Sequence, residues 1–276
     1  MRRSSPSRPA PARRTRGGVL ARRRFGQHFL VDKGVIHAIV EAIGPRSDDA
    51  IVEIGPGPGA LTDALLARIG HIDAIEIDRD LAAALTARHG ADRLSLHQAD
   101  VLGFDWRGFA GDRRLRIVGN LPYNISTPLL LGLADVADIV VDQHFMLQKE
   151  VVARIVAGPG GADYGRLGIL LQARYECDWL FDVPPESFDP PPRVDSAVLR
   201  MTPRASRVRS MSALSGLLAV AFGQRRKMLR GHLLPWLRER GIEDETLEPT
   251  RRAEEIDQET WYRVADRLAE SRLGEG

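Results

Sequence analysis

The sequence predicts an α/β fold, parallel strands alternating with helices, followed by a smaller all-helical C-terminal domain. Three observations carry this expectation. Short β-rich apolar runs recur at residues 51–54, 71–77, 94–97 and 115–118, with helical periodicity in the segments between several of them. Four successive strand-like runs end in glycines or in a polar residue suited to a ligand, as the strand ends of a parallel sheet do. After Pro203 only helical patterns remain. The expected division is a disordered basic arm at 1–21, an α/β domain at 22–205 and a helical domain at 206–276.

Composition narrows the function. The 276 residues, 43% of them hydrophobic, are enough for one large and one small domain, and no run of eighteen apolar residues suggests a membrane span. A single cysteine, Cys177, excludes an internal disulfide framework and a Cys-based zinc site. The chain is therefore expected to be cytoplasmic and metal-free. The net charge of +2 hides an asymmetry: residues 1–24 hold nine Arg and no acid, and residues 201–230 hold seven Arg and Lys and no acid. Two basic blocks on an otherwise acidic chain point to a polyanionic partner bound by counterion release. The arm is either a solvated surface or a basic extension for RNA. An organelle transit peptide is the minor alternative, and the arm's prolines argue against the amphipathic helix that import requires.

Taken in order, FGQHFL at 25–30 precedes a helix at 32–43, with Val35, Ile36, Ile39, Val40 and Ile43 on one face and Asp32 as its N-cap. His28 and its neighbours either make a turn or supply polar contacts at the mouth of a pocket. Residues 50–62, AIVEIGPGPGALT, read as a buried strand, a turn of alternating Gly and Pro, and a helix. Glycines at 55, 57 and 59 let backbone pass close to a ligand; the GxGxG spacing fits an amino-acid-bearing nucleoside as well as a pyrophosphate. Glu76 ends the next strand, 21 positions after Gly55, where a carboxylate takes both ribose hydroxyls. Asp78 and Asp80 are expected to cap the following helix. Asp100 ends the third strand, suited to accept from an adenine amino group.

GNLPYNIS at 119–126 follows the strand at 115–118. The Asn120 amide oxygen can accept from a planar exocyclic amine, Pro122 stiffens the turn and leaves carbonyls free, and Tyr123 offers a face for a swung-out base. Downstream, the pattern gives helices at 128–133, 149–156 and 166–173, a strand at 139–146, and a hairpin from strands at 175–183 and 194–201. Between the hairpin strands, five prolines at 184–192 are expected to make a rigid loop presenting Phe188, with a loop anchor in the core as the alternative for that ring. Helical patterns at 211–222, 227–240 and 260–268 complete the chain.

FGQHFL, VEIGPGPGALT, IEID, QAD, GNLPYNIS, FDPPPRVDS and AFGQRRKMLR, in this order and spacing, resemble the KsgA-type ribosomal RNA adenine dimethyltransferases, relatives of the Erm methyltransferases. The resemblance runs from about Arg24 to the last helix. It implies a Rossmann-like S-adenosylmethionine-dependent methyltransferase domain with a helical C-terminal domain. S-adenosylmethionine would touch His28 and Leu30 from the N-terminal loop, Gly55, Glu76, Asp100 and Asn120. The family most often has Asn where His28 stands; imidazole retains a donor there. The catalytic set implied is Asn120, the backbone carbonyl of Leu121, and Tyr123 and Phe188 sandwiching the base. Arg225, Arg226 and Lys227 would grip rRNA phosphates. The implied substrate is two adjacent adenosines near the 3′ end of small-subunit ribosomal RNA, each methylated twice, within the immature small subunit, by a monomeric enzyme that needs no metal and touches no membrane. An Erm-type enzyme acting on large-subunit rRNA and a ribosome-assembly factor acting mainly by binding are the alternatives.

Overall fold

The computed structural model describes residues 28–273. The arm at 1–21 and the Phe25–Gln27 portion of the first motif lie outside the described residues. Strand β1 (Phe29–Leu30) leads into α1 (Lys33–Ile43), whose N-cap Asp32 accepts from the amides of Gly34 and Val35. Then β2 (Ala50–Ile54), α2 (Ala60–Leu66), β3 (Ile72–Glu76), α3 (Arg79–His89), β4 (Leu94–Gln98), α4 (Trp106–Ala110), β5 (Leu115–Asn120), α5 (Ser126–Ala134) and β6 (Val140–Gln148) alternate as expected. Helices α6 (Lys149–Val156) and α7 (Arg166–Gln172) follow, then β7 (Tyr175–Val183), the two-residue β8 (Phe188–Asp189) and β9 (Ser196–Pro203).

The main sheet has seven strands in the order β4-β3-β2-β5-β6-β9-β7. β9 runs antiparallel to both neighbours, and the other pairings are parallel. The chain moves outward from β2 to β4 and then returns to β5, so the switch in strand order falls between β2 and β5. Ligands of open α/β sheets bind outside the carboxyl ends of the strands at such a point. Alternating side chains split the core between the two faces. Ile51, Val118, Met146 and Val198 pack beneath α1 and α2, whereas Val52, Ile117, Phe145 and Leu199 pack beneath α4, α5 and α6. Buried Arg116 on β5 pairs with Asp49 and Asp142 and donates to the carbonyls of Ile43 and Gly44, fixing the end of α1 to the sheet. At Gly119 an added Cβ would stand 2.5 Å from the carbonyl oxygen of Ile54, so only glycine lets β5 approach β2 here.

The C-terminal part consists of α8 (Met211–Gly223), α9 (Leu233–Arg238) and α10 (Gln258–Leu273). The helix expected at 227–240 is instead a 3-10 turn at Leu229–Gly231 followed by the short α9. Pro235, in the first turn of α9, has no N–H with which to extend the helix back through Gly231, and Met228 bridges to Arg252. The helical core also takes in Tyr164, Ile169 and Leu170, while Leu171 of the same α7 belongs to the sheet's core. Tyr262 donates to the Ile169 carbonyl and Tyr164 to that of Ile256, so α7 and its approach are shared between the two parts. Among the described residues, no helix is long and apolar enough to cross a membrane.

Candidate active site

At the carboxyl ends of β2, β3, β4 and β5 lies a crevice of about 240 Å³. It is lined by His28, Gly55, Glu76, Asp100, Asn120, Leu121 and Tyr123, which the fold brings together from positions almost a hundred residues apart. Gly55 has φ +62° and nothing within 4 Å of where a Cβ would sit, so its backbone borders the open crevice in a conformation other residues rarely adopt.

Glu76 is buried, and its two oxygens accept from the amides of Gly57 (3.2 Å) and Asp78 (2.8 Å). Burial pushes its carboxyl above the usual range, with those N–H donors pulling the other way. Each oxygen keeps a lone pair for a diol. Asp100 caps the next 3-10 turn through one oxygen, bonded to the Leu102 amide, and its second oxygen remains as an acceptor. Two apolar side chains absent from the sequence reading stand beside these acids: Ile77 (49% exposed) and Leu102 (48%). Exposed apolar groups flanking two hydrogen-bonding acids suit the faces and edge of an adenine ring. The signal was present in IEID, an apolar residue set between acids at a strand end.

Across the crevice, the Asn120 amide nitrogen donates to the backbone carbonyl of His28 at 2.9 Å. That bond fixes the amide's orientation, since the reverse would face oxygen against oxygen, and it leaves Oδ1 as an acceptor. Among the described residues nothing donates to the Leu121 carbonyl either. The His28 imidazole bonds through Nδ1 to the Pro190 carbonyl at 2.8 Å and stacks on Tyr123, centroids 5.9 Å apart and planes 26° apart. The Tyr123 hydroxyl meets Ser196 Oγ at 2.9 Å.

One expectation needs correction and two are refined by the packing. Phe188 is not presented to a base: it is 3% exposed and packs in the core. β8 pairs antiparallel with β1, setting Phe188 opposite Leu30. Leu30 likewise turns its side chain into that core, so a cofactor contact at this position falls to its backbone, and of the two β1 residues it is Phe29 that borders the crevice. Arg225 is not a free cation: its guanidinium pairs with Glu254 and donates to the Ala162 carbonyl. Arg226 and Lys227 are exposed in the turn after α8.

The donor set fits S-adenosylmethionine: a glycine turn, a buried carboxylate for a ribose, an acid with apolar neighbours for adenine, and acceptors at the far side. Comparison with known proteins agrees. The pattern of the family described as "Ribosomal RNA adenine dimethylase" matches residues 18–270. A protein of Dechloromonas aromatica called ribosomal RNA small subunit methyltransferase A is 50% identical over 255 residues, covering 91% of this chain and 99% of its own. Its namesake in Bordetella petrii is 55% identical over 254 residues, covering 91% and 96%. Among solved structures, a dimethyladenosine transferase from Plasmodium falciparum superposes with a TM-score of 0.76 at 23% identity, covering 89% of this chain and 98% of its own. The 23S rRNA methyltransferase ErmE superposes at 0.66 with 24% identity, covering 87% and 99%. These two likenesses speak for the fold, and the sequence matches decide the family. The chain belongs to the ribosomal RNA adenine dimethylases.

Proposed function

We propose that this chain dimethylates the exocyclic amine of two adjacent adenosines near the 3′ end of small-subunit ribosomal RNA, using S-adenosylmethionine. The observation that carries the reading is the pair of acceptors at the end of β5, Asn120 Oδ1 and the Leu121 carbonyl. An adenine amine is a poor nucleophile because its lone pair is delocalised into the ring. Two acceptors that hold both of its N–H groups favour a pyramidal nitrogen with the lone pair projecting. S-adenosylmethionine, when bound, supplies a methyl group made electrophilic by its sulfonium. The protein's own part is positioning and electrostatics: Glu76 holds the ribose, Asp100 the adenine amine, Gly55 gives room for close approach, and Tyr123 stacks on the target base. The alkylated amine is acidic and loses its proton to water, so no strong base is needed.

The partner is ribosomal RNA within the immature small subunit, met by a monomeric enzyme in the cytoplasm. Arg226 and Lys227 supply phosphate contacts that are independent of sequence. The relatives at 50–55% identity carry the small-subunit name, which favours this substrate over the large subunit. Labelled S-adenosylmethionine with purified small and large subunits, followed by nucleoside mapping, tests it. Dimethyladenosine at two neighbouring positions of the small subunit is expected, and labelling confined to the large subunit would refute the assignment.

A further inference from the structure

We infer that Ser196 is a positioning residue for the target base, acting through Tyr123. This rests on the reading that Tyr123 stacks on the adenine. Tyr123 lies in an irregular turn between β5 and α5, a segment with no ladder to hold a ring in place. Its ring is instead held at two points. One is the His28 imidazole, itself tied to the Pro190 carbonyl. The other is the 2.9 Å hydrogen bond between the phenol and Ser196 Oγ.

Ser196 is a firm anchor. It is 0% exposed and opens β9, where it pairs with Gln148 of β6 on one side and Val183 of β7 on the other. A hydroxyl set between two strands therefore lends the stiffness of the sheet to a ring carried on a turn. Burial also raises the Tyr123 phenol's pKa, so the O–H persists at neutral pH. Tyr123 and His28 form a stacked ring pair at this crevice, whereas Phe188 packs in the core.

The chemistry of a double methylation makes this hold matter unequally. An unmodified amine offers two N–H groups to Asn120 Oδ1 and the Leu121 carbonyl. After one methyl has been added only one N–H remains, so one of those bonds is gone. Orientation of the monomethylated base then depends more on the stacking surface. Ser196 accordingly governs the second transfer more than the first.

The test is a double-mutant cycle of Ser196→Ala and Tyr123→Phe, each of which deletes one hydroxyl of the pair. Single-turnover methylation of small subunits reads the two transfers separately. Binding of RNA carrying 2-aminopurine at the target position, without cofactor, reads stacking by fluorescence quenching. Each single change is expected to slow the second transfer about 5-fold to 10-fold, the first about 2-fold, and to weaken the quenching, with cofactor affinity unchanged. The double variant should be no worse than either single one, and Ser196→Thr should restore the second transfer. Additive losses, equal slowing of both transfers, or a parallel loss of cofactor affinity would overturn the assignment. Failure of the unaltered protein to modify small subunits would count against the proposed function instead, and the fluorescence cycle would still decide the role of Ser196.

Discussion

The two halves of the crevice are built on different principles. On the side of β2, β3 and β4, each functional group sits at the end of the strand that carries it, and its partners lie within 19 positions: Glu76 is held by Asp78 two residues on and by Gly57 in the turn of the adjacent strand, and Asp100 by Leu102 two residues on. On the side of β5 and β9, groups are held by partners far away: His28 by Pro190 across 162 positions, Asn120 by His28 across 92, Tyr123 by Ser196 across 73. The first half is a socket preformed by local backbone. The second is a ring of long-range contacts closed only when β1, the turn after β5 and the proline loop meet. A cofactor that is the same in every turnover suits the first, and a base that must be gripped twice in different states suits the second.

The largest effect expected lies beneath both halves. Arg116 joins β5 to Asp49, just ahead of β2, and to Asp142 on β6. Arg116→Ala leaves the poorly exposed carboxylates of Asp49 and Asp142 without their guanidinium, a loss of about 3–5 kcal/mol in urea unfolding, with cofactor affinity of the folded fraction unchanged. A selective loss of either half's function at full stability would show that the two do not share this support.

Glu76→Gln comes next and probes the socket alone. Replacing one acceptor oxygen of a buried, doubly bonded carboxylate should weaken S-adenosylmethionine binding about 10-fold to 100-fold, measured by calorimetry, while turnover at saturation is retained. If saturated turnover falls and affinity does not, the division of labour between the halves is wrong.

The smallest effect compares the halves through their protons. Glu53 of β2 and His144 of β6 lie on one face of the sheet, in a row through Val118. Burial pushes the Glu53 carboxyl up to about 7, opposed by the Thr62 hydrogen bond. Burial pushes His144 down to about 4. Glu53 binds its proton more tightly in the native state, so its contribution to stability is full below its ordinary 4.5 and is lost as pH rises through about 7. His144 binds its proton less tightly, so its contribution is full above its ordinary 6.5 and is lost as pH falls toward about 4. The two slopes oppose each other where the windows overlap. Glu53→Gln should unmask the His144 slope, stability rising by up to about 1 kcal/mol per pH unit between pH 4.5 and 6.5 in urea titrations. A flat profile in this variant would contradict the opposition.

The same contrast explains what the sequence made legible. The strands, the α/β architecture and the socket residues Gly55, Glu76 and Asp100 could be read because strand, turn and ligand group are contiguous. Asn120 and Tyr123 could be read as chemistry, but not the contacts that orient them. Phe188 was misjudged because a proline-rich loop does not reveal which side faces inward, and that choice is made by the register with Leu30. Arg225 looked free because Glu254, its partner, lies 29 positions on. Ile77 and Leu102 escaped notice because apolar residues in a strand-end sequence are ordinarily core, and only the folded crevice shows them exposed.

The most direct test of the central claim, that one half holds the donor and the other performs the transfer, is Asn120→Ala with both quantities measured on the same preparation. Single-turnover transfer to small subunits should fall about 100-fold to 1000-fold, while the dissociation constant of S-adenosylmethionine changes less than about 3-fold. Equal losses in transfer and in cofactor affinity would contradict the account, placing Asn120 in the socket and leaving the amine without its proposed acceptor.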